Sequence, residues 1–273
     1  MKKIFISLLL LAAVSCADEP YVIVQVADSQ LGFTAKARAQ SEGTSYENDL
    51  TYELDCLSRA IAKINELDPD AVIFTGDQVH HPGNPVEWEA FNNEIASIDK
   101  DIDVYHIPGN HDVIISKNHV DLTPFAERFG EGNFVSVDRK VRIVGVNSNL
   151  IKYDDPREEE QKQWLEHALQ KERRGEVTLV FSHHPFFLKE VGEKDGYFQI
   201  QSAKRQGYMD LFKSMNVDAL YAGHLHNNSE GSYEGIPVRT TTSVGYQIGD
   251  AYPSVRVITI TDGKVIDSFL PIE

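Results

Sequence analysis

Five short stretches carry the residues that could do chemistry: Ala27-Asp28-Ser29-Gln30, Thr75-Gly76-Asp77-Gln78-Val79-His80, Pro108-Gly109-Asn110-His111-Asp112, Ser182-His183-His184-Pro185 and Ala222-Gly223-His224-Leu225-His226. Carboxylate, amide oxygen and imidazole are the hard-to-borderline donors that hold Mn, Fe or Zn, and these stretches offer more of them than one ion uses. Two divalent or trivalent ions follow. A two-metal site clamps the attacking and leaving oxygens of an in-line displacement at phosphorus, so the chemistry predicted is hydrolysis of a phosphate ester. Taken singly, each stretch reads as a polar turn or a helix cap. Their conjunction carries the information, because each closes an apolar run.

Those runs are Tyr21–Ala27, Ala71–Thr75, Val104–Ile107, Thr178–Ser182 and Val217–Ala222, with another at Val141–Val146. Short continuous runs rich in β-branched residues suit strands buried on both faces. The crevice beyond the carboxyl ends of such strands is where an α/β sheet holds its ligand. Glycines at 76, 109 and 223 let the backbone turn or pass closely beside the candidate ligands. Leu50, Leu54, Leu57, Ile61, Ile64 and Leu67 form a helical stripe that Pro69 closes. Asp155-Pro156 predicts the start of a second helix, with Trp164, Leu165, Ala168 and Leu169 on one face. Alternating strands and helices predict an α/β fold. From Ser232 onward, alternating residues with glycine-bearing turns predict hairpins that complete a sheet.

Composition narrows the function. The chain has 273 residues, 41% hydrophobic and 25% charged, which excludes a disordered or fibrous protein. With 42 Asp and Glu against 26 Lys and Arg, the net charge is −16. A nucleic-acid groove needs clustered cations, and Lys36/Arg38 and Arg173/Arg174 are too short to make one. No composition shift marks a linker, so residues 17–273 read as one domain. Before it, Lys2-Lys3 and the apolar run Ile4–Val14 suit a signal peptide and are too short to span a bilayer. Ala13-Val14-Ser15-Cys16 resembles a bacterial lipobox. It predicts a signal peptide over 1–16 and a lipid anchor at Cys16, the only membrane attachment expected. The protein is then exported to the cell envelope, at the periplasmic or outer surface. Cys56 is left as the sole other thiol, a small buried hydrophobe.

In their order, the five blocks resemble the calcineurin-like metallophosphoesterase superfamily, whose usual pattern is D-x-H, G-D-x-x, G-N-H-[DE], a His after a buried strand, and G-H-x-H. The resemblance spans residues 21 to about 245. It implies a four-layer αββα sandwich, two mixed β-sheets flanked by helices, with a dinuclear site at the strand ends. It implies that Asp28 and His226 bind the first metal, that Asp77 bridges both, and that Asn110, His183 and His224 bind the second. His111 is implied as the general acid and Asp112 as the residue that orients it. Gln30 stands where the family has its first-motif histidine, and an amide oxygen is the weaker ligand. His80, the third residue after Asp77, occupies the place where purple acid phosphatases set a metal-binding tyrosine, and so completes the first site. The same features resemble the subgroup containing calcineurin-like phosphoesterase domain-containing protein phosphatases.

The mechanism expected is attack by a metal-activated hydroxide on a phosphomonoester, either a small phosphate ester or a phosphoprotein, with His111 protonating the leaving group. The alternatives are a phosphodiesterase on the same site and a surface lipoprotein that binds metal or phosphate without catalysis. His106, His119 and His167 read as core or solvated residues, and His184 as a core or rim residue. The polar connections Leu31–Asn48 and Phe186–Ser202 follow candidate ligands and should overhang the site. Their Lys36, Arg38, Tyr197 and Phe198 are candidates for substrate contact.

Overall fold

In a computed structural model that describes residues 19–170 and 176–272, the chain begins with β1 (Tyr21–Val26), α1 (Phe33–Glu42), α2 (Thr51–Leu67), β2 (Ala71–Phe74), α3 (Pro85–Ile95) and β3 (Asp103–His106). A small hairpin, β4 (Ile114–Ser116) and β5 (His119–Asp121), leads to α4 (Thr123–Phe129), β6 (Phe134–Asp138), β7 (Val141–Val146), α5 (Ser148–Lys152) and α6 (Glu158–Ala168). The chain closes with β8 (Val177–Ser182), α7 (Ser202–Ser214), β9 (Ala219–Ala222), β10 (Ser229–Tyr233), β11 (Ile236–Thr240), β12 (Ser254–Thr261) and β13 (Lys264–Pro271). The signal segment, Cys16 and Arg173/Arg174 lie outside the described residues.

One sheet has five strands in the order β13-β12-β1-β2-β3 and the other six in the order β10-β11-β9-β8-β7-β6. Both are mixed. The parallel pairs β1/β2, β2/β3, β7/β8 and β8/β9 bring the ligand-bearing strand ends to one rim. Period-two alternation sorts each strand between two apolar layers. Ile23, Ile73, Ile143, Leu179, Phe181 and Tyr221 meet between the sheets. Val24, Val26, Val72 and Phe74 face Leu57, Ile61, Ile64 and Trp88 on the helical side, while Val144, Val146 and Val180 pack against Leu165, Met209 and Phe212. The result is the four-layer αββα sandwich.

The helices follow their sequence signals closely. In α2, Cys56, Leu57, Ala60, Ile61 and Ile64 form the buried stripe; Asp68 then turns left-handed (φ 47°) ahead of Pro69. Asn84 caps α3, accepting from the Val86 N–H at 3.0 Å, with Pro85 in the first turn. Two expectations are corrected. The second predicted helix starts at Glu158, because the Asp155 carboxylate is engaged with the backbone N–H groups of Val120 (2.8 Å) and Arg157 (3.0 Å) in a preceding turn. The C-terminal hairpins also complete two sheets instead of one: β10/β11 joins the six-stranded sheet and β12/β13 the five-stranded one. Their turns, Glu234-Gly235 and Asp262-Gly263, have positive φ at both residues, the geometry that matches strand twist.

His106 closes β3 between the rings of Phe74 (4.9 Å) and Phe129 (3.9 Å), with Nδ1 buried and unpartnered. Burial pushes its pKa from the ordinary 6.5 down to about 3. The folded state therefore holds it neutral, whereas the unfolded chain takes up a proton below pH 6.5. The stability involved is fully present above that value and is lost as pH falls toward 3. Urea unfolding of wild type and His106→Phe should diverge by about 1 kcal/mol per pH unit between pH 6 and 4.5. Parallel pH dependence in the two proteins would show that His106 is already solvated.

Candidate metal centre

The candidate ligands meet at the rim between the two sheets. Asp28, Asp77, His183, His224 and His226 are all at most 5% exposed. Asp28, Gln30, Asp77, His224 and His226 take left-handed φ values of 41–65°, unusual for residues with a Cβ. Such strain persists where the surroundings over-determine it, as at binding sites. Gly109 explains one part of the crowding, since a Cβ there would lie 2.1 Å from Asp77 Oδ1. That clearance lets the Gly109-Asn110 backbone pass directly over the Asp77 carboxylate.

Two groups of donors form side by side. Ligand atoms of Asp28, Asp77 and His226 all lie within 4.8 Å of one another, as do those of His183, His184 and His224. His183 donates its Nδ1–H to the Thr75 carbonyl at 2.9 Å, which leaves its Nε2 as the nitrogen that can exchange its proton for a metal ion. That nitrogen faces Asn110 Oδ1 at 3.1 Å, His224 Nδ1 at 3.1 Å and Asp77 Oδ2 at 3.4 Å. His226 is held likewise, Nδ1 on the Tyr246 carbonyl and Nε2 3.5 Å from Asp28 Oδ1. Each imidazole is thus oriented by an oxygen behind it, the arrangement typical of metal-binding histidines.

The electrostatics call for a cation. Burial drives the Asp28 carboxyl up to about 6, against the opposing charges of His226 and His183. Burial also works to raise Asp77, but His183, His111 and His224 outweigh it and hold that carboxyl well below the usual range. His183 is pushed up to about 9: burial opposes the shift, and Asp77, Asp28 and the Thr75 carbonyl overcome it. Acceptors converging on a histidine that prefers to be positive fit positively charged metal ions in the place of its proton.

Other expected residues fall around this pair. His80 belongs to neither group of close ligand atoms; its ring stacks on His111 at 4.5 Å and its Nδ1 lies 3.4 Å from the Gln30 amide. The ring of His111 is oriented by the His80 carbonyl, 3.0 Å from Nδ1, while the backbone N–H of His111 donates to Asp77 Oδ1 at 2.8 Å. The expected contact from Asp112 to that ring is replaced by another task. Asp112 Oδ1 accepts from the Gln78 and Val79 N–H groups at 2.8 and 3.2 Å, and Oδ2 from Gly109 at 2.7 Å. It locks two ligand turns together, so it positions rather than touches the reacting atoms. His184 is fully buried, with Nδ1 3.1 Å from Ser148 Oγ and its ring 4.4 Å from that of His224, behind the exposed edge of the site. Arg38 pairs with Asp49 at 2.8 Å in the exposed Leu31–Asn48 connection.

Glu87 was not legible in advance. It is fully buried and accepts from the His80 and His81 N–H groups at 3.0 and 2.6 Å, from Asn84 Nδ2 at 3.0 Å and from the Tyr46 hydroxyl at 2.6 Å. It sits in the first turn of α3, where the helix dipole favours an acid in any case.

A mixed αββα sandwich with paired Asp, Asn and His clusters at its strand ends defines a metal-dependent hydrolase. The chain belongs to the calcineurin-like phosphoesterase family, whose pattern matches residues 21–228. Serine/threonine-protein phosphatase CPPED1 of Bos taurus is 28% identical over 266 residues, covering 93% of this chain and 84% of the relative. A probable cyclic nucleotide phosphodiesterase of Rhodococcus erythropolis is 25% identical over 218 residues, 75% of this chain and 70% of the relative. The purple acid phosphatase PPD1 of yellow lupin has the same fold, with a TM-score of 0.71 and 15% identity; 93% of this chain covers 52% of that one.

Proposed function

We propose that the protein is a phosphomonoesterase, with His111 as general acid. The observation that carries this reading is the convergence of His183 Nε2, Asn110 Oδ1, His224 Nδ1 and Asp77 Oδ2 beside Asp28 and His226. Asp28, His226 and His80 would hold the first ion, Asn110, His183 and His224 the second, and Asp77 would serve both. When bound, the ions supply positive charge at the phosphoryl oxygens and a more acidic water. His111 keeps Nδ1 on the His80 carbonyl, which leaves Nε2 to deliver a proton to the departing oxygen. Asp112, Thr75 and Tyr246 hold these side chains in place, so little rearrangement is needed on binding.

The CPPED1 relatives support a monoester. The Rhodococcus relative keeps a diester reading open, because the same donor set serves both. Mn²⁺-loaded protein should hydrolyse p-nitrophenyl phosphate with kcat/KM at least tenfold above that for bis-p-nitrophenyl phosphate. His111→Asn should lower the monoester rate by about 10²–10⁴ with metal content unchanged, the range for a general acid. The opposite substrate order would assign a diesterase, and full activity in His111→Asn would remove its role. Retained metal with no turnover of either ester would leave the non-catalytic binding protein. On location, the proposal is export and lipidation at Cys16, with a small phosphate ester the more accessible substrate in the envelope. Cys16→Ser should release the protein from the membrane fraction, and an unchanged fraction would refute the anchor.

A further inference from the structure

Two pairs of aromatic rings stand over the metal centre, and the chemistry above uses neither. Beside the second-ion ligands, Tyr197 and Phe198 lie 5.2 and 5.6 Å from the His224 ring. Beside the first, Phe33 lies 5.2 Å from His80 and 6.1 Å from His226, with Tyr246 4.8 Å from Phe33. Tyr197 is 63% exposed and Tyr246 39%. Their backbones are firmly held. The buried Lys152 ammonium donates to the carbonyls of Gly196 and Gln199, at 3.2 and 2.5 Å, on either side of Tyr197-Phe198. The buried Arg205 guanidinium ties down the carbonyls of Val191, Glu193 and Ile200 at 2.8–2.9 Å in the same connection. The Tyr246 N–H donates to Ser243 Oγ at 2.8 Å, and its carbonyl holds His226. Exposed rings on a fixed backbone make a preorganised contact surface, which lowers the ordering cost of a ligand that stacks on it.

The charges around the site restrict what that ligand is. Lys152, which braces the Tyr197-Phe198 turn, is engaged by the carbonyls of Gly196 and Gln199, and Arg38 in α1 is paired with Asp49. Further phosphates or carboxylates on a substrate would meet little positive charge, in a protein of net charge −16. A flat, uncharged ring finds an aromatic surface beside each group of site histidines.

We propose that Phe33, Tyr246, Tyr197 and Phe198 form a stacking cleft that selects phosphate monoesters whose leaving group bears a planar aromatic ring within a few bonds of the ester oxygen. The inference rests on the phosphomonoesterase reading. Benzyl phosphate and cyclohexylmethyl phosphate test it, because both release a primary alcohol and differ only in whether the six-membered ring is flat and π-bearing. In Mn²⁺-loaded full-length protein, kcat/KM should favour benzyl phosphate by about 2- to 12-fold for each ring stacked upon. The corresponding phosphonates, which cannot be hydrolysed, should show the same order of Kd by calorimetry. The preference should fall toward one in the Phe33→Leu/Tyr197→Leu double variant and persist in Tyr197→Phe, which keeps the ring and loses the hydroxyl. Adenosine 5′-monophosphate against ribose 5-phosphate locates the ring: a preference there places a nucleobase in the cleft, and a preference confined to benzyl phosphate restricts it to aryl groups near the ester. Equal turnover and equal Kd within both pairs would overturn the cleft while leaving the phosphatase intact. No turnover of any of the four esters would overturn the phosphatase reading and the cleft with it.

Discussion

Asp77→Asn is expected to hold no more than one ion per chain in excess Mn²⁺, where wild type holds two, and to lose about 10²–10⁴ in kcat/KM. Asp77 belongs to the group with Asp28 and His226 and reaches the other group as well: Oδ2 lies 3.4 Å from His183 Nε2, and Oδ1 accepts the backbone N–H of His111 at 2.8 Å. Asparagine fits the same space and can keep the bond to His111. What it removes is the negative charge placed between two cations. Taking one partner out of a buried ion pair costs about 3–5 kcal/mol, which sets the size of the expected rate loss. Elemental analysis gives the ion count and a thermal melt of the metal-free variant checks the fold. Two ions retained at wild-type affinity, with activity intact, would mean that Asp77 does not bridge.

How far the sequence foretold this site depended on the kind of contact. Strands were legible because their runs are continuous and β-branched, and the candidate ligands because each turn places a donor directly after such a run. Sheet membership was not. Strand β12 pairs with β1, more than two hundred residues away, and alternation along β12 carries no record of that partner. Helix α1 escaped notice for a different reason: Phe33–Glu42 buries only Ala35 and Ala39 and has no side-chain cap, so neither a stripe nor a cap announces it. Asp112 follows His111 directly, and adjacency suggested that the carboxylate serves the ring. The ring's actual partner is the backbone carbonyl of His80, and every residue carries a carbonyl. Glu87 is invisible for the same reason, since two of its donors are the backbone N–H groups of His80 and His81 and a third, the Tyr46 hydroxyl, is brought to it only by the fold.

The same logic yields a prediction for which residue would complete the first ion's shell. His183 has its Nδ1–H on the Thr75 carbonyl and His226 on the Tyr246 carbonyl, so both direct Nε2 at the ions. His80 Nδ1 faces the side-chain amide of Gln30 at 3.4 Å, and Gln30 Oε1 is buried without a partner. An amide's oxygen and nitrogen exchange places by a half-turn of its terminal torsion. With Oε1 toward the ring, Gln30 accepts the Nδ1–H of His80, and the His80 Nε2 lone pair becomes the ligand. Burial already keeps that imidazole neutral, pushing its pKa down to about 3 with help from His111 and His81, so no proton competes with the ion near neutral pH. His80→Ala should therefore hold about one Mn²⁺ per chain where wild type holds two. Gln30→Ala removes an orienting partner rather than a ligand, and should keep two ions at saturation with affinity for the weaker one lowered about 10- to 100-fold. The reverse pattern, one ion in Gln30→Ala and two in His80→Ala, would make the glutamine oxygen the ligand and His80 its support.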